Sequence, residues 1–309
     1  MKTAIIVGAG GQDGSYLSEL LLLHGVSVIG LTRGNGPDIL KRDDVFALLQ
    51  RVQPEEVYYL AAFHHSAEDK ELESNDTLLF ERSHAVHVQG LLHFLDAIAH
   101  VSPRTKLFYA ASSHIFGSPA AQPQTESTPL APTGVYGITK TMGIHACRYF
   151  RRERGVFASV GILYNHESSR RAPKFLSQKI ARGVLAFQRD PAQRITLGDL
   201  SATVDWGFAP DYVEAMTRLL ALPASDEFII ATGQPHTVED FLRVACEHVG
   251  VNWRDAVLSK PGLLTKKPVL LVGDSTKLRR ATGWKPSVSF EEMVRRLVDE
   301  ARSEATRFA

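Results

Sequence analysis

The 309-residue sequence predicts an α/β fold, a parallel sheet covered by helices on both faces. Two observations carry that expectation. A short apolar run, a glycine-rich turn and an amphipathic stretch open the chain, and strand-like and helix-like segments then alternate as far as residue 163. Alternation at this spacing favours parallel strands, because a parallel pair needs a crossover long enough to hold a helix. Ligands in such sheets bind beyond the carboxyl ends of the strands, which fall here at Gly8, Ala61, Ser112 and Tyr164.

The first strand is expected over residues 2–7 and the first helix over 15–24, with Gly8-Ala9-Gly10-Gly11-Gln12-Asp13-Gly14 between them. In that context the glycines point to a bound dinucleotide. Gly8 allows a tight turn, Gly11 lets the backbone approach a pyrophosphate at the helix N-terminus, and Gly14 lets helix and strand pack closely. The second strand, residues 26–31, runs into Thr32-Arg33, and no acid appears until Asp38. A carboxylate there would hold the ribose hydroxyls of NAD and repel a 2′-phosphate, whereas a guanidinium attracts one, so Arg33 favours NADP over NAD. A solvated surface arginine is the alternative. A third strand over residues 56–60 ends at Leu60-Ala61-Ala62, where the chain passes close to a cofactor. A helix over 83–99, a strand over 106–111, a long helix over 135–154 and a strand over 157–163 follow.

The chemistry-bearing residues lie on the later elements. Tyr136 and Lys140 are four apart and share one helix face. The lysine cation is expected to lower the tyrosine pKa and to bond the nicotinamide ribose. The tyrosine then takes a proton from a sugar hydroxyl as hydride leaves the carbon, while Ser112 or Ser113 holds the same oxygen. A Tyr-x-x-x-Lys pair recurs by chance; its specificity comes from the serine pair at a strand end and the N-terminal glycines.

Several blocks then resemble the GDP-mannose 4,6-dehydratase family of extended short-chain dehydrogenases. They are Gly11-Gln12-Asp13-Gly14-Ser15-Tyr16-Leu17, Asn165-His166-Glu167-Ser168-Ser169-Arg170-Arg171, Asp205-Trp206-Gly207, Asp211-Tyr212-Val213-Glu214-Ala215-Met216, Ile230-Ala231-Thr232-Gly233 and Gly283-Trp284-Lys285-Pro286. The resemblance spans nearly the whole chain. It implies a Rossmann-type doubly wound sheet over residues 1–165, onto which later segments pack back, and a smaller C-terminal α/β substrate-binding region over 166–309. It implies NADP as cofactor and a nucleotide-sugar as substrate. By the same likeness His166 and Arg171 touch the cofactor near the nicotinamide, Asp38-Ile39 match an Asp-Leu at the adenine pocket, and Asn165 and Lys179 meet the nucleotide-sugar.

The family reaction moves hydride from sugar C4, removes the acidified C5 proton, expels water from C6 and returns hydride there. The family's acid and base is a Glu two residues after the catalytic Ser/Thr. Here that place is His114, which an imidazole can fill near neutral pH; packing beside the cofactor is the other reading. Further departures concern the diphosphate. The family's arginine before Asp-Trp-Gly is Val204, and an arginine and a glutamate upstream of Gly273-Asp274 fall by ungapped counting on Leu264 and Lys267. Losing guanidiniums removes bidentate phosphate contacts, and Lys260, Lys266 and Lys267 could compensate or be solvated. Between Arg33 and Asp38 only Gly34 to Pro37 remain where the family has a longer loop used in its tetramer. A homodimer is therefore expected, paired through the helices bearing residues 87–99 and 135–154.

Composition excludes other classes. Lys+Arg 35 against Asp+Glu 34 leaves no basic field for nucleic acid. Cys147 and Cys246 read as reduced thiols in a cytoplasmic protein. No segment reads as a membrane span or secretion signal, and no metal is expected. Three functions stay open: an NADP-dependent nucleotide-sugar 4,6-dehydratase using His114; a reductase or epimerase needing only Ser112, Tyr136 and Lys140; and a non-enzymatic dinucleotide-binding relative.

Overall fold

The structure, a computed structural model, describes residues 2–63, 75–260 and 269–307, with side chains as far as Glu304. Strand β1 (Thr3–Val7) is apolar throughout its interior because it is central and covered on both faces. It pairs in parallel with β2 (Ser27–Leu31) on one side and β3 (Glu56–Tyr59) on the other. The sheet continues in parallel through β4 (Lys106–Ser112) and β5 (Ala158–Leu163). Its six strands run β2-β1-β3-β4-β5-β9, the last being Glu227–Ile230. The chain reverses its direction of travel across the sheet between β1 and β3, which opens a crevice at their carboxyl ends.

The period of two along each strand sorts side chains to the two faces. Ile5, Val7, Val57, Tyr59 and Tyr109 meet Leu49, Phe94, Ile98 and Ile144 on one face. Ala4, Ile6, Tyr58 and Phe108 meet Leu17, Leu21, Met216, Leu219 and Trp284 on the other. Residues of the helix Ala209–Ala221, strand β9 and Trp284 thus join the N-terminal body. A separate core of Ile180, Val184, Trp206, Phe241, Leu242 and Leu297 lies in the C-terminal part. There β6 (Asn165–Glu167), β8 (Thr203–Phe208) and β10 (Pro235–Thr237) form a three-stranded sheet in the order β10-β8-β6. Strands β7 (Ile195–Leu197) and β11 (Val257–Ser259) pair in parallel beside it.

Two helices differ from expectation. The first starts at Gln12 because Gly11 is extended and serves as its N-cap. The helix expected over 83–99 begins at Asp76, where the Asn75 side chain accepts the Leu78 N–H at 3.0 Å. It is also interrupted: Asp76–His84 and Gly90–Val101 are α-helical, and Ala85–Gln89 is a π-helical turn. The helix Val135–Arg154 ends as expected at Gly155, whose φ of +66° stops the turn. Among the described residues no helix is long and apolar enough to cross a membrane.

Candidate active site

A cleft of about 910 Å³ opens at the carboxyl ends of β1, β3, β4 and β5. Of the residues singled out from sequence, Gly8, Gly11, Gln12, Asp13, Gly14, Arg33, Asp38, Ile39, Leu60, Ala61, Ala62, Ser112, Ser113, His114, Tyr136, Lys140, Asn165, His166 and Arg171 line it. Lys179 does not; it is half-buried in the first turn of the helix Leu176–Arg189.

The glycine turn is built by close backbone approach. Gly8 has φ +95°, and a Cβ on it would sit 2.9 Å from the Ala61 amide nitrogen. A Cβ on Gly14 would run into the Gly8 carbonyl and the Ala9 backbone. No side chain caps the helix that starts at Gln12, so its first amides and dipole face the cleft, the arrangement an anion such as a pyrophosphate fits. Asp13 in that first turn would oppose an anion, but its carboxylate turns to His166 Nε2, at 2.9 and 3.0 Å. His166 Nδ1 lies 2.7 Å from the Tyr164 carbonyl. Both ring nitrogens therefore face acceptors, which calls for the imidazolium with two donors. Burial opposes that charge, yet the Asp13 carboxylate outweighs it and raises the His166 pKa. Burial likewise pushes Asp13 up, and the His166 charge and hydrogen bond bring it below the usual carboxylate value. Gln12 donates to Asp13 and to the His166 carbonyl, both at 3.1 Å, and accepts from Ser168 at 2.9 Å. The Tyr212 ring stacks on His166 with centroids 4.5 Å apart.

At the far end of the cleft the chain after β2 turns within four residues, Thr32 and Asn35 exchanging backbone bonds of 3.0 and 3.2 Å. Arg33 is exposed at the rim. The Asp38 carboxylate accepts the Leu40 N–H at 3.0 Å, and His93 Nδ1 bonds the Ile39 carbonyl at 2.9 Å.

Ser112 closes β4, and its hydroxyl accepts the His114 N–H at 3.3 Å. Ser112 and Ser113 are buried, whereas His114, on the short 3₁₀ turn Ser113–Phe116, is exposed to the cleft. Its ring stands edge-on to Tyr136 with centroids 6.0 Å apart. Close approach seats the Tyr136 helix: a Cβ on Gly137 would sit 2.5 Å from the His114 carbonyl oxygen. The Lys140 ammonium, 1% exposed, donates to the Ala110 carbonyl at 2.7 Å and lies 5.7 Å from the Tyr136 ring centroid. Burial brings Lys140 down to about 7, against the pull of Asp13. Burial carries Tyr136 up to about 12, Arg171 opposing and Asp13 adding. In the protein alone, loss of water penalises the Tyr136 phenolate more than the Arg171 cation favours it.

Comparison with known proteins places this geometry. The model of the GDP-mannose 4,6 dehydratase family matches residues 35–297. The chain belongs to that family. GDP-mannose 4,6 dehydratase 2 of Arabidopsis thaliana is 36% identical over 97% of this chain and 86% of its own length. Among solved structures, RMD from Pseudomonas aeruginosa complexed with NADPH superposes with a TM-score of 0.84 at 19% identity, over 98% of this chain and all of that one. dTDP-glucose 4,6-dehydratase from Bacillus anthracis in complex with NAD superposes with the same TM-score, 0.84, at 15% identity, over 99% of this chain and 98% of the other. At these identities the structures speak for the fold.

Val204 is half-buried in β8 and Lys260 is exposed; neither lines the cleft. Leu264, Lys266 and Lys267 lie outside the described residues. Arg171 lines the cleft, its guanidinium 3.5 Å from Glu167 and 4.1 Å from the Phe175 ring centroid. Arg170, its neighbour, instead pairs with Glu19 at 2.7 Å. Sequence reasoning missed Ser168, whose hydroxyl holds Gln12, Tyr212, which stacks on His166, and Val86 in the lining. The resembling blocks contain Ser168 and Tyr212, so those two were within reach; nothing in the sequence marked Val86.

Proposed function

We propose that the protein is an NADP-dependent nucleotide-sugar 4,6-dehydratase in which His114 does the work of the family's glutamate. The observation that carries the reading is the convergence of Ser112, His114, Tyr136 and Lys140 on the cleft that the glycine turn opens. The uncapped helix start and the Gly8–Ala61 approach fit a nicotinamide dinucleotide, and Arg33 at the rim favours the 2′-phosphorylated form. When bound, that cofactor supplies a hydride acceptor toward C4 and a donor toward C6.

The residues supply the rest. Tyr136 takes the C4 hydroxyl proton, and the Ser112 hydroxyl holds the same oxygen. Lys140, brought down to about 7 by burial, favours the phenolate when it carries its proton. The C4 ketone acidifies the C5 proton, which His114 removes at the cleft surface. His114 then gives a proton to the C6 hydroxyl, which leaves as water. With the hydride that the bound cofactor would return to C6, His114, reprotonated from solvent, would deliver a proton to C5 and give the saturated 4-keto-6-deoxy sugar, so the overall step is loss of one water with no net redox change.

GDP-mannose is the first substrate to try, because the relative of highest identity named above is a GDP-mannose 4,6 dehydratase. Incubation with NADP and a panel of nucleotide-sugars, and in parallel with NADPH and their 4-keto derivatives, followed by mass, separates loss of water from gain of hydride; gain of hydride by the keto sugars with no loss of water from the others replaces this reading with a reductase. The reductase or epimerase reading has one observation of its own: hydride transfer needs only the buried Ser112 and Lys140 with the half-buried Tyr136, and His114 is exposed. We further propose that residues near 165 divide cofactor from substrate part, with Asn165 and Lys179 on the sugar-nucleotide side. A homodimer through the Asp76–Val101 and Val135–Arg154 helices would cover Phe80, Met142 and Tyr149, each exposed by more than 40%; a monomer by light scattering at micromolar concentration contradicts it. Cys147 and Cys246 are free and buried, their thiols pushed up to about 12 by burial, as suits unreactive thiols in a cytoplasmic enzyme.

A further inference from the structure

We propose that His87 is a positioning residue for Tyr136, holding the start of the catalytic helix in register with the cofactor-facing end of β3. The proposal rests on the reading of Tyr136 as the proton-transfer group. His87 is fully buried in the π-helical turn Ala85–Gln89. Single π turns inside α-helices recur at functional sites because they displace one residue from the regular ladder.

Three contacts define what His87 does there. The Phe63 N–H, three residues beyond Leu60, donates to His87 Nε2 at 2.9 Å. His87 Nδ1 meets the Thr139 hydroxyl at 2.8 Å. The His87 ring stands edge-on to Tyr136, centroids 5.1 Å apart at 88°.

The direction of the chain of bonds follows from the donors. A backbone N–H can only donate, so Nε2 is an acceptor and the ring hydrogen sits on Nδ1. His87 therefore donates to Thr139, and the Thr139 hydroxyl passes its own hydrogen to the Val135 carbonyl at 3.0 Å or the Tyr136 carbonyl at 3.2 Å. One unidirectional chain thus links the loop beyond Ala62 to the first turn of the Tyr136 helix. The ring at its centre sets the plane in which the phenol turns. The turn itself is pinned from below: Tyr59 donates its hydroxyl to the Val86 carbonyl at 2.6 Å. Nothing larger than Gly90 fits next to that hydroxyl.

Such a device acts on orientation more than on binding. A misplacement of about 1 Å costs on the order of 10²-fold in rate while leaving affinity nearly alone. His87→Phe keeps a ring for the edge-on contact but removes the hydrogen bonds to the Phe63 N–H and the Thr139 hydroxyl. His87→Asn keeps an amide donor for Thr139. With the full-length protein, NADP and the accepted nucleotide-sugar, His87→Phe is expected to lower kcat about 10- to 100-fold. KM for the sugar and Kd for NADP should stay within about threefold, and His87→Asn should recover a good part of kcat. Thr139→Val cuts the same chain from the other end and covers the case in which His87→Phe does not fold; it should show the same kcat-selective loss. Tyr136→Phe is run alongside. If Tyr136→Phe is inactive while His87→Phe or Thr139→Val turns over like wild type, the positioning role is overturned and the Tyr136 mechanism stands. Parallel losses in kcat and cofactor affinity, with no recovery in His87→Asn, also overturn it, because they mark a merely structural residue. A fully active Tyr136→Phe defeats the underlying mechanism instead.

Discussion

Replacing His114 by alanine separates the two halves of the proposed reaction. His114 is exposed on a short 3₁₀ turn, and its backbone N–H bonds the Ser112 hydroxyl. An exposed side chain of this kind costs the fold no more than about 0.5 kcal/mol when truncated, so the variant should melt close to wild type. Ser112, Tyr136 and Lys140 are untouched, and hydride transfer at C4 should persist. Removal of the C5 proton loses its base, worth roughly 10²- to 10⁴-fold, or about 3–5 kcal/mol in the barrier. In deuterium oxide the wild type should place solvent deuterium at sugar C5, read by proton NMR of the product. His114→Ala should form the 4-keto sugar with bound reduced cofactor, seen by absorbance, and lose the C5 label. His114→Glu returns an acid-base group to the same turn and should regain part of the dehydration. The reasoning is refuted if His114→Ala labels C5 at the wild-type rate, since another group must then be the base.

Other outcomes follow from the same geometry. Tyr136→Phe should abolish turnover by about 10²- to 10⁴-fold with cofactor affinity nearly unchanged; near-normal turnover removes Tyr136 from the mechanism. Arg33→Ala should weaken NADP binding by about 10- to 100-fold and leave NAD unaffected, as measured by calorimetry. Equal loss for both cofactors would place Arg33 outside the 2′-phosphate site. The Asp13–His166 pair sets a pH window. His166 has a raised folded pKa, so its stabilisation is complete below its unfolded value near 6.5 and is lost as pH rises through the folded pKa. Asp13 has a depressed one, so its share is complete above the unfolded value of 3.8 and is lost as pH falls through the folded pKa. Lys140, lowered to about 7 by burial, works the other way: folding gains as pH rises from there toward the unfolded lysine value. The melting temperature of wild type minus that of His166→Asn cancels the lysine contribution and should shrink from mildly acidic to alkaline pH. A difference that grows instead would mean that His166 is neutral in the fold.

Much of the site was legible because its residues work through backbone geometry or short spacing. Gly8 and Gly14 sit where any side chain would strike Ala61 or the turn itself, and a strand–glycine–helix pattern exposes that requirement directly. Tyr136 and Lys140 are joined by one helix turn, and Ser112 ends a strand that reads as apolar. The π turn at Ala85–Gln89 was not legible, because the apolar period of a helix carries through one extra residue without a break that sequence can register. The burial of the pair was not legible either: proximity of Lys140 is visible in a Tyr-x-x-x-Lys spacing, but the loss of water that raises the Tyr136 pKa is not.

The structure also explains why position 114 can change without disturbing the residues beside it. Ser112, Tyr136 and Lys140 are tied into the core through the β4 end, the Ala110 carbonyl and the helix that Gly137 seats. The Asp13–His166 pair fixes the glycine turn to the strand after Tyr164 from the other side. Position 114 follows Ser112 by two residues, yet its side chain emerges on the open side of the turn. On the proposed reading, a carboxylate or an imidazole there would meet the same face of the sugar. On that reading, substitution at 114 would alter which proton chemistry the cleft performs, while Ser112, Tyr136 and Lys140 would stay in place for either a dehydratase or a reductase.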